Sequence, residues 1–162
     1  MPTLTLTENS LINIPALFNS SSPEETQTLG EKCIAPLLKK GSIVALKGDL
    51  GAGKTCLAKG IAKGLGVKEE LNSPSYTIVN EYVCGQGNST ITLYHIDAYR
   101  LNGNEDFTSI GGEEIVFGNG ISLIEWCERI PAFIPNDALK VEIEIKGDNE
   151  RLIHVYMEIK VN

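Results

Sequence analysis

Gly48-Asp49-Leu50-Gly51-Ala52-Gly53-Lys54-Thr55 has the residue types and the spacing of a phosphate cradle. Its glycines let the backbone close around an anion with N–H groups turned inward. The Lys54 ammonium can reach the β- and γ-phosphates of a nucleoside triphosphate, and the Thr55 hydroxyl can ligate Mg²⁺. The apolar run Ile43-Val44-Ala45-Leu46 before it reads as a buried strand. After it, Leu57, Ile61 and Leu65, with Ala58 and Ala62 beside them, have helical spacing. Strand, glycine-rich turn, Lys-Thr and helix form the context that such a loop requires. A helix starting at Lys54 adds its positive dipole end to the same anion site. Triphosphate binding is the working premise.

A phosphate loop of this kind needs a carboxylate at a neighbouring strand end. Leu93-Tyr94-His95-Ile96-Asp97 and Ile121-Ser122-Leu123-Ile124-Glu125 both have the form of an apolar strand ending in an acid. One acid can serve the metal while the other orients or activates the attacking water, and spacing alone leaves the assignment open. Ser73-Pro74-Ser75-Tyr76-Thr77 lies between the loop helix and the first acidic strand, so its hydroxyls can reach Mg²⁺ or the γ-phosphate. A Ser-Pro turn feeding a strand is the plainer reading of the same residues. Asn-Lys-x-Asp, which reads guanine, occurs nowhere, and this favours ATP over GTP. The arginines are Arg100, Arg129 and Arg151 alone, so no intrinsic arginine finger is evident, and slow unaided turnover with a partner is expected.

The elements that must position these residues follow from pattern. Ser20-Ser21-Ser22-Pro23-Glu24-Glu25 is a helix start. That helix should run toward Lys40, burying Leu29, Cys33, Ile34, Leu37 and Leu38, with a kink or an early end at Pro36 and closure at Gly41. Thr3 to Thr7 alternate as a short strand. Tyr76 to Val83 and Thr90 to Asp97 read as two strands joined by Gly85 to Ser89, close enough to pair antiparallel. Residues 104–117 read as a short helix plus an irregular stretch broken at Gly111-Gly112. Leu139 to Ile145 and Leu152 to Ile159 form a terminal hairpin. The expected architecture is α/β, a three-layer P-loop NTPase-like fold with a mixed, largely parallel central sheet and a C-terminal β-hairpin. Ligands of such sheets sit at the carboxyl ends of the strands, where Asp97 and Glu125 lie.

Residues 1–162 suffice for one domain, and the 42% apolar and 22% charged fractions are those of a globular protein. No apolar run approaches the ~20 residues that span a bilayer, and Met1-Pro2-Thr3-Leu4 lacks the marks of a signal peptide. A cytoplasmic protein without a membrane partner is expected. Cys33, Cys56, Cys84 and Cys127 form no Cys-x-x-Cys pair, which argues for reduced thiols rather than zinc ligands. The formal net charge of −7, with no basic cluster beyond Lys39-Lys40, implies that any nucleic acid is held by something else.

Four blocks in order make the chain similar to the bacterial TsaE (YjeE) family, P-loop ATPases of tRNA threonylcarbamoyladenosine (t6A) biosynthesis. They are Gly48 to Thr55, Ser73-Pro-Ser-Tyr-Thr-Ile-Val79, His95-Ile-Asp-Ala-Tyr-Arg-Leu101 and Leu123-Ile-Glu-Trp-Cys-Glu-Arg129; with Glu25 to Gly30 the match runs from about residue 23 to 130. Ser75 stands where the family usually has Thr, and Cys127 where it usually has Pro. The resemblance implies that Leu50, Gly51, Ala52, Gly53, Lys54 and Thr55 bind ATP phosphates and that Thr55 and Glu125 hold Mg²⁺. It also implies that Asp97 acts at the γ-phosphate, and that Trp126 and the Ser73–Thr77 segment, Thr77 included, respond to nucleotide state. Lys54, Asp97 and Glu125 would then carry the catalysis. The implied partners are the TsaD and TsaB subunits, which carry out the transfer to adenosine 37, with tRNA met only through that complex. A small-molecule kinase is the competing reading, but Asn102 to Gly120, the candidate lid, has no Arg or Lys. A non-hydrolysing ATP sensor is the third. The nucleotide base is expected near Pro23 to Thr26, with the turn at Arg151 opposite.

Overall fold

The computed structural model describes residues 14–85 and 90–158. The proposed strand at Thr3 to Thr7, positions 86–89 of the expected turn and Ile159 fall outside them, while Met157 and Glu158, expected in the last strand, are described and lie beyond its end.

Seven strands form one sheet: β1 (Ala16–Ser20), β2 (Ile43–Gly48), β3 (Val79–Cys84), β4 (Ile91–Asp97), β5 (Ile121–Glu125), β6 (Leu139–Ile145) and β7 (Arg151–Tyr156). Their order is β1-β7-β6-β2-β5-β4-β3. The four central strands, β6, β2, β5 and β4, run parallel to one another, and β3 on one side and β7 and β1 on the other add antiparallel pairings. The mixed sheet and the β6–β7 hairpin match the expected architecture. β1 carries no clear alternation in sequence, so pattern does not mark it as a strand.

Strand period divides the core into two layers. Val44 and Leu46 point to one face with Leu93, Leu123, Val141 and Ile153, where they meet Leu29, Ile34, Leu57 and Ile61 from the helical layer. Ile43 and Ala45 point to the other face with Ile96 and Ile124, against Phe107, Ile130 and Phe133. Each fully buried Leu or Ile contributes roughly 1.5–3 kcal/mol by leaving water. This burial fixes the sheet between its two covers.

α1 (Pro23–Leu29) starts where the sequence places it. The Ser22 hydroxyl accepts from the Glu25 N–H at 3.1 Å, and the Glu25 carboxylate accepts from the Ser21 N–H at 2.7 Å. This reciprocal cap satisfies helix-end donors and is worth about 1 kcal/mol. The helix does not run to Lys40, however. It ends at Leu29, widens into a π-type turn over Gly30–Ile34 and tightens into a 3₁₀ turn over Ala35–Leu37. Gly30 is pressed onto α2 (Lys54–Gly64), where a Cβ would lie 2.6 Å from the Leu57 carbonyl oxygen. Pro36, lacking an N–H, cannot continue the helix. Leu29, Cys33 and Ile34 are buried as expected, Leu37 and Leu38 only partly.

The β3 strand begins three residues later than its composition suggests. Tyr76 and Thr77 lie in a turn, and Ile78 adopts a left-handed backbone with φ 69°. Residues 104–117 make two short helices, α3 (Asn104–Ser109) and α4 (Gly112–Val116), separated where Gly111 takes φ 87°.

Candidate functional site

The P-loop joins β2 to α2. Gly51 and Gly53 take φ values of 78° and 110°, a region that side chains oppose, so the sequence's glycines are required there. The Ala52 N–H donates to the Asp49 carbonyl at 2.9 Å, closing the turn inside the loop. Leu50 stands at its tip, 78% exposed. Lys54 opens α2 and is buried, its Nζ donating to the Gly48 carbonyl and, at 3.2 Å, to that of Asp49. Burial lowers the Lys54 pKa, and the carboxylates of Glu125, Glu128, Asp97 and Asp49 oppose that shift.

Parallel pairing of β4 with β5 sets Asp97 directly beside Glu125. Glu125 turns to the α2 face, as Leu123 does two residues earlier. There the Thr55 hydroxyl donates to its two carboxylate oxygens at 2.9 and 3.1 Å, across 70 positions of sequence. The two expected metal ligands are therefore adjacent. They are hard oxygen donors, of the kind Mg²⁺ takes together with water and phosphate oxygens. Among the described residues no three His, Cys, Asp or Glu side chains gather to hold a metal by themselves. An ion here would complete its shell from phosphate and water. Asp97 Oδ1 accepts the Tyr99 N–H at 3.0 Å. Burial, and next the charge of Glu125, raise its pKa, against the pull of that N–H, His95 and Lys54.

His95 joins the site without being among the residues that the sequence pattern singles out. It is fully buried, and its Nε2 lies 2.5 Å from the second Glu125 oxygen, while its Nδ1 has no hydrogen-bond partner among the described residues. The signal was present in the two-residue spacing of His95 and Asp97, which sends both side chains to the same sheet face. Only the register of β4 on β5 shows that this face is also that of Glu125.

Trp126 follows Glu125 with a left-handed backbone, φ 57°. It lays its ring under Lys54, with Nζ 4.1 Å from the ring centroid, and meets Tyr99 at 4.9 Å. Cys127, in place of the family's usual Pro, opens a 3₁₀ turn over Cys127–Arg129. A first helical position also accommodates proline, so the exchange leaves the turn intact.

The structure does not bring Thr77 into this cluster by any hydrogen bond: its hydroxyl donates to Asn80 at 2.7 Å, and the Ser73 and Ser75 hydroxyls bond each other at 2.8 Å. The start of α1 lies over α2 through a Cys56 thiol contact to the Pro23 carbonyl at 3.2 Å. Arg151 reaches the P-loop itself, its Nε donating to the Ala52 carbonyl at 2.9 Å.

A three-layer α/β sheet, a glycine-rich loop at the carboxyl end of its central strand, and two acids on neighbouring strand ends define a P-loop protein. The family model for "Threonylcarbamoyl adenosine biosynthesis protein TsaE" matches residues 20–153. The chain is 41% identical over 136 residues to tRNA threonylcarbamoyladenosine biosynthesis protein TsaE of Treponema pallidum, covering 84% of this chain and 96% of that one. With the Bacillus subtilis protein of the same name it shares 39% over 136 residues, or 84% and 82% of the two chains. The crystal structure of Bacillus subtilis YdiB superposes with a TM-score of 0.65 at 34% identity, covering 86% of this chain and 83% of that one. The chain belongs to the TsaE family. Among the described residues no helix is long and apolar enough to cross a membrane.

Proposed function

We propose that this protein is an ATP-binding and ATP-hydrolysing subunit required for t6A formation on tRNA, working in the cytoplasm with TsaD and TsaB and leaving the transfer itself to them. The observation that carries the reading is the meeting of the Thr55 hydroxyl with the Glu125 carboxylate beside the mouth of the P-loop. Backbone N–H groups from Leu50 to Thr55 would receive the phosphates. Lys54 would leave the Gly48 and Asp49 carbonyls for phosphate oxygens, an exchange of one set of acceptors for another. Thr55 and Glu125 would hold Mg²⁺, which when bound neutralises charge on the β- and γ-oxygens. His95 would keep the Glu125 carboxylate turned toward Thr55. Asp97, whose raised pKa suits a proton acceptor, would orient the attacking water. Thr77 would leave Asn80 to meet the γ-phosphate. The base would lie between the start of α1 and the turn before Arg151.

The formal charge of −7 supports leaving tRNA to the partners. ATP turnover and t6A formation, measured with and without TsaB and TsaD, test the reading. Glu125→Ala should lower partner-stimulated turnover by roughly 10²-fold or more, the scale of removing one preorganised charge-stabilising group, and should abolish t6A formation. Full t6A formation by Glu125→Ala would remove Glu125 from the metal site. Phosphorylation of a metabolite by the purified protein would replace the ATPase reading with a kinase.

A further inference from the structure

We propose that Arg151 is a positioning residue for the P-loop, a clamp that holds the Gly51 and Ala52 carbonyls outward so that the Gly53 N–H faces the phosphates. The proposal rests on the nucleotide-binding reading above and adds to it a residue outside the glycine-rich segment.

Arg151 opens β7, where its backbone is fixed by pairing with Ile145 of β6 on one side and Ser20 of β1 on the other. From that base, among the described residues, its guanidinium donates only to backbone carbonyls. Nε donates to the Ala52 carbonyl at 2.9 Å and Nη2 to that of Gly51 at 3.3 Å. Nη1 donates to the Gly147 and Glu150 carbonyls, each at 2.9 Å, and to Asp148 at 3.4 Å. Among the described residues no carboxylate lies within ion-pair distance of it, although Asp148 and Glu150 are close in sequence. One side chain therefore bridges two loops, the turn of the β6–β7 hairpin and the tip of the P-loop.

The consequence follows from the planarity of the peptide group. In a trans peptide the C=O and N–H point in opposite directions. Holding the Ala52 carbonyl toward Arg151 turns the Gly53 N–H to the other side of the loop. The next peptide back is held in the same way through the Gly51 carbonyl, while its N–H, on Ala52, closes the turn onto Asp49. Gly51 and Gly53 are the residues whose backbones are freest to rotate. Without an external hold, the peptides on either side of Ala52 keep that orientation through the Ala52–Asp49 bond, the Lys54 contacts and the Leu57 N–H on the Gly53 carbonyl, none of which holds the Ala52 carbonyl itself. A lysine would keep the charge but not the fork of donors that reaches both loops at once.

The test compares wild type with Arg151→Met, Arg151→Lys and Arg151→Ala. Arg151→Met should weaken Mg²⁺-ATP and ADP binding about ten-fold, the scale of losing one charge-assisted hydrogen bond. It should also speed amide exchange of the 49–53 backbone in the nucleotide-free protein, with the thermal midpoint nearly unchanged. Arg151→Lys should recover little of the affinity. Millimolar guanidinium should restore binding to Arg151→Ala and leave wild type unaffected, a rescue that a merely structural role would not give. Affinity and 49–53 exchange in Arg151→Met equal to wild type would overturn the clamp. Failure of wild type to bind any nucleotide would overturn the nucleotide reading, and the exchange measurement would then decide the clamp by itself.

Discussion

At the scale of single residues, the site divides into what spacing reveals and what only pairing reveals. Lys54, Thr55, Asp97 and Glu125 are legible in the sequence because a glycine-rich loop and a strand ending in an acid are local patterns. The hold of His95 on Glu125 and of Arg151 on Ala52 depends on which strands become neighbours, and no local pattern encodes that. Tyr156 is a similar case away from the site. Its hydroxyl donates to Glu142 at 2.8 Å across the β6–β7 pair. Burial first, and then the bond to Glu142 and its charge, push its pKa up to about 12. An ultraviolet titration should therefore show a late ionisation, near pH 12, that belongs to Tyr156. Glu142→Gln should bring that late phase back toward the ordinary value of about 10. The sign for stability follows: between pH values of about 10 and 12 the unfolded chain has lost this proton and the folded one has kept it, so stability falls as pH rises through that window. Below it the group contributes no pH dependence.

At the scale of elements, the helical layer over the P-loop is set by glycine contacts rather than by helix propensity. α2 and the α1–π segment approach so closely that a Cβ on Gly60 would stand 2.0 Å from the Gln27 carbonyl oxygen, and one on Gly64 would stand 2.6 Å from the Glu31 carbonyl oxygen. This contact also explains why the first helix, legible at its cap, breaks at Gly30: the break is dictated by a partner helix that the local pattern does not show. Gly60→Ala should destabilise the fold by about 2–3 kcal/mol, since the obstacle is backbone and cannot rotate away. Gly103→Ala, with nothing within 4 Å of the added carbon, should change stability by less than about 0.5 kcal/mol. Denaturant unfolding of the two variants against wild type checks the contrast. The late start of β3 has the same kind of cause. The Asp97 N–H donates to the carbonyl of left-handed Ile78 at 2.9 Å, so the turn is bound to the acid's strand rather than continuing as sheet.

At the scale of the whole molecule, the fold class was legible because strand, loop and helix signals alternate in order. The sheet order was not, because β2 takes neighbours, β5 and β6, from far downstream. A chain cut after Ala138 would lose β6 and β7, and with them one neighbour of β2 and the hold on Ala52. Such a chain should show no cooperative thermal transition and no nucleotide binding, measured by calorimetry and by the emission of Trp126, the single tryptophan. The placement of β2 also has a temporal meaning. During synthesis the glycine-rich loop emerges early, yet its strand must wait for both flanking strands, and closing such distant pairs is slow and costly in chain entropy. Until the hairpin has emerged, the most ligand-ready stretch of the nascent chain lacks the frame that makes it a receptor. Under the proposed function, nucleotide capture would then require a chain that already carries β6 and β7, and a partially made or clipped copy would be silent rather than wrongly active.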